Sequence, residues 1–111
     1  MPVIKVWCLP PKQGDFQDIR DDVVAAAMSV PEVGIENGRT VSVLFPEGLR
    51  NEIIIEVISR AFDARRLGAS VRNQFAMEMV FAVKKFYPNA MVECFILPFG
   101  RADGFYHSSA E

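Results

Sequence analysis

The sequence contains one histidine and two cysteines. A lone His107 cannot build a histidine metal cluster. Cys8 and Cys94 form neither CxxC nor any other metal-ligand spacing. Both fall in strand-like stretches and read as small buried hydrophobes rather than a redox pair. Basic residues are not gathered into a run, and the formal net charge is −2, so the footprint of a nucleic-acid binder is missing. No segment approaches the roughly 20 apolar residues of a membrane helix. The N-terminus lacks a basic region followed by an apolar stretch and a cleavage site, so no signal peptide is expected. The expected location is the cytoplasm.

What the chain does have is apolar residues. They make up 50% of its 111 residues, against 23% charged. The length suits a single domain over 1–111 with one core. A small domain has little interior, so this apolar share points to a buried subunit interface.

Hydrophobic spacing orders these residues into elements. Val3 to Leu9 alternates Val3, Lys5 and Trp7 against Pro2, Ile4, Val6 and Cys8, and the second set is wholly apolar. This predicts a strand that begins almost at the first residue. "LPPKQGD" is a loop leading to Asp15, a candidate N-cap. Phe16, Ile19, Val23, Ala26, Ala27 and Val30 follow helical spacing, so Phe16 to Ser29 reads as an amphipathic helix that Pro31 stops. "PEVGIENG" reads as a loop, and Arg39 to Phe45 as a second strand.

The order then recurs. "EIIIEVI" (Glu52 to Ile58) is a β-branched strand. Ser70 can cap a helix from Val71 to about Phe86. Its apolar stripe (Val71, Phe75, Met79, Val83, Phe86, flanked by Met77, Val80 and Phe81) is wide enough to predict burial on more than one side. Met91 to Leu97 is the last strand, followed by an irregular tail. "VLFPEG" and "FILPFG" lie 52 positions apart, as do "IR" at Ile19 and "VR" at Val71. The halves, about 1–50 and 51–111, therefore read as a degenerate β-α-β repeat.

Two α+β architectures fit this order. In one, each half pairs its strands in parallel through a crossover, and the halves join into a four-stranded mixed sheet with both helices on one face. In the other, a ferredoxin-like sheet interleaves the halves. Periodicity leaves both open.

The start "MPVIKV", the doubled β-α-β layout and the length resemble the tautomerase superfamily, the group of 4-oxalocrotonate tautomerase and macrophage migration inhibitory factor, in its two-repeat form. The resemblance implies the first architecture, assembled as a homotrimer. It also implies a cofactor-independent enzyme whose N-terminal proline, freed by removal of Met1, acts as general base. A free α-amino group has a pKa of roughly 7.7–8.0, which an apolar pocket or nearby cations lower. A neutral amine can then take a proton from carbon beside a carbonyl and return it elsewhere.

The substrates of such enzymes carry carboxylates, so cations are needed to hold them. Lys12 stands in the loop after the first strand, where the family places a basic residue. Arg65 or Arg66 stands at the equivalent place in the second half. Arg101 is a further anion-binding candidate, and Phe105 or Tyr106 could close the pocket. 4-Oxalocrotonate tautomerase carries an Arg within its second strand, in a V-R-V context. Here "VSV" puts Ser42 there, leaving Arg39 as a lower-ranked substitute. The expected function is a tautomerase-like isomerase, or a related lyase, on a small keto or enol carboxylate. The alternatives are a non-catalytic binding protein on the same scaffold and a ferredoxin-like ligand-binding module. No metal, nucleic-acid or membrane partner is expected.

Overall fold

The computed structural model describes residues 2–10, 16–48, 52–62 and 67–97. Four strands and two helices alternate along it: β1 (Val3–Trp7), α1 (Phe16–Met28), β2 (Ser42–Leu44), β3 (Ile53–Ile58), α2 (Ala69–Lys84) and β4 (Val92–Leu97). Short 3-10 helices occupy Pro31–Val33, Gly38–Thr40 and Arg60–Phe62.

The sheet runs in the order β2-β1-β3-β4. β1 pairs with β2 in parallel, and β3 with β4 in parallel. The two halves meet along β1 and β3, which are antiparallel, with Val3 opposite Ile58 and Trp7 opposite Ile54. This is the first of the two expected architectures. The ferredoxin-like alternative is excluded, because each half keeps its own two strands adjacent instead of interleaving them with the other half's.

Alternation explains the layering. Side chains at every second strand position share a face. Ile4 and Val6 of β1 and Ile53, Ile55 and Val57 of β3 are fully buried. They pack against Ile19, Val23 and Ala27 of α1 and Phe75, Met79 and Val83 of α2, all in one cluster. The spacing of four in both helices puts those residues on a single stripe. Phe62 closes one end of the core, edge-on to Phe75 at 4.9 Å and 63°.

Several boundaries differ from expectation. β1 stops at Trp7, because Cys8 turns into the left-handed region (φ 66°) and its N–H donates to the Pro46 carbonyl at 3.1 Å. Cys8 therefore follows the strand instead of lying in it. β2 begins at Ser42 and not at Arg39. There the Asn37 side chain accepts from the Arg39 N–H at 2.9 Å, and the Thr40 hydroxyl donates to the Asn37 carbonyl at 2.7 Å. These bonds fold 38–40 into a helical turn, as Asn caps commonly do. In α2 the N-cap position belongs to Gly68, with no side-chain cap, and Ser70 lies inside the helix. Met77 and Phe81 are exposed, so α2 buries one side within this chain and not the several that its width suggested. Asp15 lies outside the described residues.

Candidate functional site

Pro2 heads β1 and is buried. Its carbonyl accepts from the Ser42 N–H at 3.0 Å, which ties it to β2 on one side. On its other side is β3. That pairing ends with Val3 opposite Ile58, and the residues just beyond that last pair are Pro2 and Ser59.

Both residues line a pocket of ≈ 470 Å³. The rest of its described wall is the segment Val33 to Asn37, Thr40 and Ala61. Two local features shape that wall. Pro31–Val33 forms a helical turn that ends at Gly34 in the left-handed region (φ 78°), which reverses the chain over the head of β1. The Asn37-capped turn then leads into β2.

The polar groups are few. Ser59 is the buried polar side chain among the described residues, at 6% exposure. Its hydroxyl oxygen accepts from the Ala61 N–H at 3.2 Å. Glu36, Asn37 and Thr40 are exposed. Among the described lining residues there is a carboxylate and no Lys or Arg.

Of the expected site residues, the structure places two. Pro2 lies in the pocket wall. Arg39 is exposed on the turn between Asn37 and Thr40, both of which line the pocket, but is not itself in the described lining. Lys12, Arg65, Arg66, Arg101, Phe105 and Tyr106 lie outside the described residues. Sequence reading missed the wall from Val33 to Asn37, which looked like an ordinary loop. It also missed Ser59, although a signal existed. Ile53, Ile55 and Val57 set a phase of two, and the next residue in that phase is a serine.

A second depression, of ≈ 420 Å³, lies at the other end of β1 on the sheet face away from the helices. Trp7, Ile54, Glu56 and Phe95 form part of it. There the Trp7 indole N–H donates to Glu56 Oε1 at 2.5 Å.

The fold has well-defined relatives among solved structures. A macrophage migration inhibitory factor-like protein from Entamoeba histolytica superposes with a TM-score of 0.70 at 7% identity, over 97% of this chain and 96% of that one. Malonate semialdehyde decarboxylase gives 0.66 at 11%, over 97% and 92%. A fused 4-OT, solved as an asymmetric trimer, gives 0.63 at 16%, over 93% and 99%. Other similar structures are of proteins of unknown function. No protein-family model and no curated protein matches the sequence. At these identities the likeness establishes the fold, and the chain has the tautomerase-superfamily fold.

Proposed function

We propose that this protein is a cofactor-independent tautomerase-like isomerase, or a related lyase, acting on a small keto or enol carboxylate. The observation that carries the reading is the position of Pro2. It is buried at the head of β1 and lines a pocket, in a fold shared with 4-OT and malonate semialdehyde decarboxylase. With Met1 removed, its nitrogen is a secondary amine in partly apolar surroundings. Val33, Ile35 and Ala61 around it disfavour the charged form. Such an amine removes a proton from carbon adjacent to a carbonyl and redelivers it.

Substrate carboxylates fall to the cations at Lys12, Arg65, Arg66 and Arg101, with Phe105 and Tyr106 closing the pocket in this reading. The protein acts in the cytoplasm as a homotrimer, its two halves being degenerate repeats. Support for assembly comes from the fused 4-OT trimers of the same fold and from the sheet face that the described residues leave uncovered.

The test is enol-to-keto turnover of phenylpyruvate by protein expressed without a tag, its N-terminus checked by mass spectrometry. Pro2→Ala should lower turnover by roughly 10²–10⁴-fold. Unchanged turnover in that variant rules the proline mechanism out.

One observation favours a second reading, a binding protein on the same scaffold. The described wall offers the Glu36 carboxylate and no cation, which does not favour an anionic ligand. A mature protein that keeps Met1, with Pro2 locked in an amide, decides for that reading.

A further inference from the structure

Ser59 is a buried hydroxyl at the end of an otherwise apolar phase. Ile53, Ile55 and Val57 precede it on the same face and are fully buried. A polar group in such a place costs stability unless it is bonded or used. Ser59 and Pro2 adjoin the last pair of the β1/β3 ladder, Val3 and Ile58, and line the same pocket.

The bonding of the two hydroxyls in that pocket sets them apart. Thr40 is exposed and gives its proton to the Asn37 carbonyl at 2.7 Å. Ser59 is used as an acceptor, its oxygen pinned by the Ala61 N–H. A serine that accepts one bond keeps its proton to give. The Ala61 N–H also polarises the hydroxyl it binds, which strengthens that proton as a donor. The pocket thus holds a nitrogen that can take a proton and, in the same lining, a fixed hydroxyl that can give a hydrogen bond.

We propose that Ser59 is the second catalytic residue of the Pro2 pocket. It donates to the carbonyl oxygen of a bound α-oxo carboxylic acid. This rests on the general-base reading of Pro2. As the Pro2 nitrogen removes a proton from the carbon beside the carbonyl, the C–H pair becomes the C=C bond. The carbonyl π pair moves onto oxygen, and the Ser59 O–H shortens its hydrogen bond to that oxygen as charge collects there. The prolinium then gives its proton to that oxygen, which yields the enol, and enol-to-keto conversion runs through the same steps in reverse. No oxidant, metal or co-reactant is needed. Donors aimed at developing charge act on the transition state more than on the bound substrate. The loss on removing Ser59 therefore belongs in kcat more than in KM.

The experiment follows phenylpyruvate enol-to-keto conversion with wild type, Pro2→Ala, Ser59→Ala and Ser59→Thr, each checked for folding by thermal melting. Ser59→Ala is expected to lower kcat by about 10²-fold and to change KM by less than about 10-fold. Ser59→Thr, which restores a hydroxyl, is expected to recover most of the loss. Wild-type kcat in Ser59→Ala, with Pro2→Ala inactive, overturns the Ser59 role and leaves Pro2 standing. Full activity in Pro2→Ala with a collapse in Ser59→Ala removes the base and keeps the hydroxyl. A wild type with no turnover overturns both. Should the serine variants melt early, phenylpyruvate binding is compared between Pro2→Ala and the Pro2→Ala, Ser59→Thr double variant by NMR titration. Weakening beyond about 10-fold in the Thr-bearing double variant counts against the hydroxyl contact.

Discussion

Cys94 lies on β4, on the face that packs against the helices, where burial pushes its thiol from about 9 up to about 12. A thiol nucleophile must first lose its proton. Iodoacetamide at pH 8 should therefore label Cys8 well before Cys94 in the folded protein, with peptide mass spectrometry as the readout. Faster labelling of Cys94 would contradict its burial. The same shift has a consequence for stability. Folded Cys94 holds its proton above the point where the unfolded thiol releases it, so unfolding is favoured as pH rises from about 9 towards 12. The slope approaches about 1.4 kcal/mol per pH unit for one proton. Urea midpoints taken from pH 8 to 11 should fall less steeply in Cys94→Ala than in wild type. At this scale the sequence was partly legible. Pro2 stood out because a proline at the second position becomes a secondary amine once Met1 is removed. Ser59 did not stand out, because its meaning depends on which strand lies opposite. That pairing is a long-range fact which periodicity along one strand does not contain.

The helices and strands follow their hydrophobic spacing, and the departures from it have local causes. Asn37 draws 38–40 out of the sheet, and Cys8 ends β1 by turning into positive φ. Neither event changes the order of apolar residues, so neither could be read from it. α2 gives a direct test of one-sided burial. Met79 is fully buried, whereas Phe81, two residues on and about 200° around the helix, is 55% exposed. Met79→Ala should cost about 2–5 kcal/mol of unfolding free energy, through lost contacts and the cavity left behind. Phe81→Ala should cost less than about 1 kcal/mol, as surface changes usually do. Equal losses in urea titrations would mean that the second side of α2 is also covered in solution, as the breadth of its apolar stripe first suggested.

In the whole molecule, two helices lie over one face of the sheet, and among the described residues the other face is bare. The bare face carries Val3, Trp7, Ile54, Ile58, Phe95 and Leu97 in register, with Lys5, Glu56 and Glu93 among them. Leu44 and Phe95 are 48% and 49% exposed there. A contiguous exposed apolar patch marks an interaction face. This face holds part of the apolar content that the core does not absorb, the rest including Met77 and Phe81 on α2. The overall architecture was legible because element order allows few topologies, and the strand order chose between the two left open. The occupant of the bare face is the remaining question, and the proposed trimer answers it with two further copies. Sedimentation equilibrium should then give three times the 12.4 kDa chain mass. Phe95→Asp places a charge on that face, where the side chain is already half in water within one chain. A single chain should therefore still fold, with its far-UV spectrum unchanged, while three chains should not assemble. A wild-type mass of one chain at high micromolar concentration would show that the bare face is not a self-association surface, and the trimer would have to be abandoned. An Asp variant that stays trimeric would move the contact away from β4, towards the edge formed by β2.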